Sequence, residues 1–133
     1  MRKALDISAY LVIGPENTLG RPVAEIIRQA LEAGFTCVQI RSKKCSARDL
    51  IAYTAQAAEV ISQMGKSDTV ALLVDDRLDV VLAAREAGVK VDGIHVGQTD
   101  IPVEVCRKLL GPDSIVGLRL VLTKCWSMLK QPI

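Results

Sequence analysis

Residues 35–65 read FTCVQIRSKKCSARDLIAYTAQAAEVISQMG, and this stretch decides the fold class. Phe35 to Ile40 is a short β-rich run. It breaks into a polar cluster, Gln39-Ile40-Arg41-Ser42-Lys43. Ser46 then opens a long helical stretch through Met64, with Asp49 three residues on in a loose capping-box pattern, and Gly65 closes it. The unit is therefore a strand, a polar strand end, a helix and a glycine stop.

The same cycle extends in both directions. Upstream, Ala9 to Ile13 is apolar and ends at Gly14-Pro15, and Arg21 to Ala33 carries Val23, Ile26, Ile27, Ala30 and Leu31 at helical spacing before Gly34. Downstream, Thr69 to Val74 is a third apolar run, and Arg77 to Ala87 a helix stopped by Gly88. Val91 to Val96 is a fourth strand, and Pro102 to Leu110 a helix stopped by Gly111. A fifth strand starts at Ser114 and reaches Val116, with Leu122 as its outer bound. Strands alternating with helices predict βαβ units and a parallel sheet, with all strand C-termini on one side. The spacing leaves Lys124 to Ile133 without an assigned element.

Composition narrows the function classes. The chain has 133 residues, which fits one domain spanning 1–133. Half of it is apolar and only 3% aromatic, so Ala, Val, Ile and Leu must build the core. A net charge of +2, with no basic run beyond Lys43-Lys44 and no interleaved aromatics, gives no nucleic-acid surface. No apolar stretch approaches the roughly 18 residues that span a membrane, and the opening MRKALDIS has no signal-peptide core. None of the four cysteines, Cys37, Cys45, Cys106 and Cys125, forms a CxxC pair or a metal spacing. Cys37, inside an apolar run, reads as a small core residue. A reducing cytoplasm is the expected location.

Three polar clusters sit where apolar runs end: Gln39 to Lys43, Asp75-Asp76-Arg77 and Gly97-Gln98-Thr99-Asp100. On neighbouring parallel strands they would share one mouth. Alternation places Val38 and Ile40 toward the covering helices and Gln39 and Arg41 on the inner face. A buried unpaired charge is costly, so an inward Arg41 needs a partner or an anion. Arginine suits bidentate phosphate contact, and Lys43 supplies a point charge. The plainer alternative is a strand running out into a solvated loop.

Asp75 and Asp76 end the third run, one pointing inward and one toward the rim. Asp76 could equally cap the following helix, and Thr99-Asp100 could simply open the helix at Pro102. Two carboxylates on adjacent strand ends also suit magnesium, which binds one or two carboxylates and completes its shell with water and phosphate. His95, the only histidine, reads as a hydrogen-bonded core residue rather than a catalyst, because no nucleophile and carboxylate are spaced to form a triad with it.

Taken in order, these clusters resemble thiamine phosphate synthase (thiamine-phosphate pyrophosphorylase). The family's opening YLVT strand is matched by Tyr10-Leu11-Val12-Ile13, and its Q-x-R-x-K by Gln39, Arg41 and Lys43. Its N-D-R appears as Asp75-Asp76-Arg77, and its D-G-I/V-H-L/V-G-Q-x-D-L/I-P as Asp92 to Pro102. A GPD-x-I-I/V-G stretch is matched by Gly111 to Gly117. The resemblance covers about residues 9–118 and leaves 119–133 as a divergent tail.

The resemblance implies an α/β fold that is part of a (β/α)8 TIM barrel. It also implies a magnesium-dependent transferase that joins hydroxymethylpyrimidine diphosphate to hydroxyethylthiazole phosphate and releases diphosphate. Gln39, Arg41, Lys43 and Asp75 would bind the pyrimidine substrate, with Arg41 and Lys43 serving catalysis. Asp76 and Asp100 would be the magnesium ligands. Asp75 stands where the family has Asn, and Arg119 where it has Ser. A whole barrel needs about 200–250 residues, so four units and a fifth strand read as a truncated barrel with no thiazole phosphate site. Poor or absent turnover is therefore expected of this transferase; a non-catalytic or vestigial phosphate-ligand-binding module and a thiazole tautomerase-like protein are the alternatives. A homo-oligomer through the open barrel face is a further expectation.

Overall fold

A computed structural model describes residues 4–120. Five strands alternate with four α-helices: β1 Tyr10–Ile13, α1 Val23–Glu32, β2 Cys37–Ile40, α2 Ala47–Gln63, β3 Ala71–Asp75, α3 Leu78–Glu86, β4 Gly93–Val96, α4 Val103–Leu110 and β5 Ile115–Leu118. A single 3-10 turn, Pro15–Asn17, follows β1. The strands lie side by side in chain order, all parallel. The expected partial-barrel architecture is present. The possible extension of the fifth strand to Leu122, and the tail from Lys124, lie outside the described residues.

One face of the sheet carries the helices. Ile13, Val38, Ile40, Leu72, Val74, Ile94 and Val96 pack there with Ile27 and Leu31 of α1, Leu50, Ala57, Val60 and Ile61 of α2, Val80, Val81 and Ala84 of α3, and Cys106 and Leu110 of α4. Many of these side chains are fully buried, and each large one contributes roughly 1.5–3 kcal/mol. The aliphatic composition therefore serves a core of parallel strands. Cys37, Ala71 and Leu73 form a smaller cluster on the other face, with Tyr10 and Ile115 against it. Cys37 is the core residue it was read to be.

Local signals account for the helix limits. The Ser46 hydroxyl accepts from the Asp49 amide at 3.1 Å, so the cap of α2 is in place. Each α-helix ends at its expected glycine; Gly65, for example, has φ of 68°. Strands are shorter at their starts than the apolar runs. Thr69 and Val70 both donate to the Lys66 carbonyl in a turn, so β3 begins only at Ala71.

The N-terminal ends of the strands are tied by side chains. Arg85 donates to the carbonyls of Val91 (3.0 and 2.7 Å) and Leu110 (3.0 Å) and to the Ser114 hydroxyl (2.9 Å). The Asp92 carboxylate accepts from the Leu72 amide at 2.8 Å. The aspartate that opens the fourth-strand motif is thus an anchor between β3 and β4.

Candidate active site

Alternation along each strand sends a second set of side chains to the face away from the helices. Register puts Val12, Gln39, Leu73, Gly93 and Ile115 in one row, and Asp75, His95 and Gly117 in the next row toward the C-terminal ends. Arg41, whose amide donates to the Ile13 carbonyl at 2.9 Å, extends β2 to the same level. The result is an open hollow of about 470 Å³ lined by Tyr10, Val12, Gln39, Arg41, Asp75, His95 and Arg119.

Its charge is organised around Asp75. The Asp75 carboxylate lies 3.1 Å from Lys43 Nζ, 3.4 Å from Arg41 Nε and 3.6 Å from His95 Nδ1. The Asp75 side chain is 9% exposed, whereas those of Arg41 and Lys43 are 42% and 50% exposed. The cations therefore reach from solvent to an acid at the floor. Lys43 also pairs with Asp76, and Asp76 first and Asp75 second hold its ammonium above the usual lysine range. Asp76 has φ of 49°, a left-handed conformation that aspartate tolerates better than most residues. Its amide donates to the His95 carbonyl at 2.7 Å.

Gln39 is buried and donates from Nε2 to the Tyr10 hydroxyl at 2.7 Å. Burial pushes the Tyr10 phenol up to about 12, the largest of its causes, so it stays protonated. The pair fixes the orientation of the amide at the back of the hollow.

The structure brings Gln39, Arg41, Lys43, Asp75 and Asp76 together. Asp100 stands apart from that cluster's ion pairs. Its Oδ2 accepts from the Gly97 amide at 2.6 Å, closing the turn after β4. Neither acid serves as the helix cap that was the alternative reading, since the residues before α3 and α4 are Arg77 and Pro102. Among the described residues, no cluster of three His, Cys, Asp or Glu side chains is assembled for a cation.

His95 departs from its expected role as a hydrogen-bonded core residue. Its side chain is one-quarter exposed and its buried Nδ1 has no hydrogen-bond partner, because 3.6 Å to Asp75 is too long for one. Gly117 makes room for the ring: a Cβ there would stand 2.8 Å from His95 Cδ2. Tyr10, His95 and Arg119 are lining residues that motif reading left without a site role. Strand parity could have grouped them, but only with a register that the sequence does not state.

Residues 9–120 match the thiamine monophosphate synthase family. The chain belongs to that family. The thiamine-phosphate synthase of Moorella thermoacetica is 39% identical over 109 residues, covering 82% of this chain and 48% of that protein. That of Corynebacterium efficiens is 39% identical over 118 residues, covering 89% and 51%. Among solved structures, thiamine phosphate pyrophosphorylase from Pyrococcus furiosus superposes with a TM-score of 0.70 at 26% identity, covering 93% of this chain and 55% of that one. This thiamine monophosphate synthase family chain thus spans about half the length of the curated relatives it matches.

Proposed function

We propose that the hollow is the pyrimidine-diphosphate half of a thiamine phosphate synthase site. The observation that carries this is the convergence of Arg41 and Lys43 on one acid at the C-terminal mouth of a parallel sheet. Two partly exposed cations can turn from Asp75 to a diphosphate without unfolding anything. Gln39, oriented by Tyr10, offers a fixed amide to the pyrimidine, and Asp75 lies beneath it in place of the family's Asn.

The reaction joins hydroxymethylpyrimidine diphosphate to hydroxyethylthiazole phosphate. The bond between the pyrimidine methylene carbon and the diphosphate oxygen breaks, and the electron pair leaves with the oxygen. The thiazole nitrogen then donates its pair to that carbon, and no proton needs to be removed by a base. Negative charge grows on the departing oxygen, where the Arg41 guanidinium and Lys43 ammonium neutralise it. Such a dissociative route requires no protein nucleophile–base pair.

Magnesium fits the donor set in chemical type. Asp76 and Asp100 are carboxylates beyond the ends of neighbouring strands, and both use Oδ2 for the contacts described above. They would hold the ion, which would supply further charge neutralisation to the diphosphate. No described residue is assigned to the thiazole phosphate.

Calorimetric titration with hydroxymethylpyrimidine diphosphate and magnesium tests this reading. Binding by the chain, lost in Arg41→Ala at unchanged melting temperature, is the expected result. If Arg41→Ala unfolds the chain while its folded fraction still binds, the assignment is wrong. A second reading is a phosphate-ligand module without turnover, which magnesium-dependent binding without product formation would favour. Thiamine phosphate formation from both substrates would exclude it.

A further inference from the structure

The turn after β1 grips the loop that carries two of the site's cations. Pairing between β1 and β2 ends with the Arg41 amide bonded to Ile13, so the chain beyond it must be held by other means. Three contacts do so. A Cβ on Gly14 would stand 1.9 Å from the Arg41 carbonyl oxygen, an approach that only glycine allows. The Ser42 hydroxyl donates to the Glu16 carboxylate, 26 positions earlier. The same Ser42 oxygen accepts from the Lys44 amide at 3.2 Å and the Cys45 amide at 3.0 Å. The loop therefore wraps around Lys43 with Ser42 as its pin, and Glu16 anchors the pin.

Glu16 stands on a stiff support. It is the middle residue of the 3-10 turn Pro15–Asn17. Asn17 ties that turn to β1: its Nδ2 donates to the Val12 carbonyl at 3.2 Å, and its Oδ1 accepts from the Gly14 amide at 3.0 Å. The Ser42 hydroxyl, first among the causes, holds the Glu16 carboxyl below the usual carboxylate range, so it is charged at neutral pH. Glu16 does not line the hollow, so its influence on a ligand there runs through the loop.

We propose that Glu16 is a positioning residue, which through Ser42 sets the backbone from which Arg41 and Lys43 reach a diphosphate. This rests on the proposed pyrimidine-diphosphate site and deepens it. Positioning and plain electrostatics differ here in sign. An acid near an anion site repels the anion, so deleting its charge alone should tighten binding. An acid that holds the loop does the reverse when deleted, because the ligand must then order the loop itself.

Calorimetry with inorganic diphosphate at fixed magnesium tests it on the wild-type chain, Glu16→Ala, Glu16→Gln, Ser42→Ala, the Glu16→Ala/Ser42→Ala double variant and Arg41→Ala. Glu16→Ala is expected to bind about threefold to tenfold more weakly, the size of one hydrogen bond. Glu16→Gln keeps an acceptor for the Ser42 hydroxyl without the charge, and should bind at least as tightly as wild type. Ser42→Ala should lose as much as Glu16→Ala or more. The double variant should lose no more than Ser42→Ala, because both act through one bond. Glu16 is exposed, so its variants keep the wild-type melting temperature. Glu16→Ala binding as tightly as wild type, or Glu16→Gln losing as much as Glu16→Ala, overturns this inference. Lost binding in Arg41→Ala then leaves the site reading standing. No binding by the wild-type chain overturns both.

Discussion

Asp75→Asn should tighten the binding of inorganic diphosphate. In the free protein Asp75 occupies Lys43 at 3.1 Å and Arg41 at 3.4 Å, the same cations a phosphate must recruit. With a cation between them, acid and anion stand about 6 Å apart, and at an effective dielectric of about 40 their repulsion is ~1.4 kcal/mol per unit of anion charge. That dielectric suits a site where Asp75 is covered but Lys43 is half exposed. The amide removes this repulsion, so affinity rises by about tenfold or more, since diphosphate carries more than one negative charge. The fold loses partly exposed ion pairs worth about 0.2–1 kcal/mol, a small fall in melting temperature. Calorimetry at 50 mM and 1 M salt measures it, and the gain should shrink at about 1 M, where the Debye length is near 3 Å. A folded Asp75→Asn chain that binds diphosphate no better than wild type at low salt refutes the competition argument.

Gly117→Ala forces a methyl to within 2.8 Å of His95 Cδ2, so the ring must leave its place in the hollow. Overpacking of this kind costs about 1–3 kcal/mol; an unchanged melting temperature and unchanged His95 ring resonances would contradict it. Tyr10 adds a pH dependence with a defined sign. Its phenol is raised from 10.0 to about 12 in the folded chain, so its contribution is complete below pH 10 and is lost as pH rises from about 10 to about 12. Urea unfolding across that range should show a steeper loss for wild type than for Tyr10→Phe, and equal slopes would show that the phenol is not buried as described.

The βα alternation was legible because buried parallel strands are largely apolar, Gln39 being the one polar residue in the two runs that follow. Residues 37–40 are all buried, and so are 71–74. The inward parity of Gln39 and Arg41 followed from the two-residue repeat of a strand, which needs no knowledge of neighbours. Strand starts were less legible, because Thr69 and Val70 are β-formers taken by a turn at Lys66. The fate of the acids was less legible still. Asp76 and Asp100 both looked like helix openers, since a sequence does not reveal a left-handed φ or a carboxylate folded back on its own turn. His95 was read as core because no triad partners are spaced near it in sequence; its pairing with Gly117, 22 positions later, is supplied only by the register.

Arg85 works at the end of the sheet farthest from the hollow, where it gathers Val91, Leu110 and Ser114 onto one guanidinium. A survey scoring every substitution by survival alone would rank Arg85 beside Arg41 as irreplaceable. On the proposed reading of the hollow, the two would hold that rank for unrelated reasons, one wiring the chassis and the other meeting the cargo. Soluble yield tells them apart: loss of Arg85 depletes the protein, whereas loss of Arg41 leaves an abundant chain with nothing in its grip.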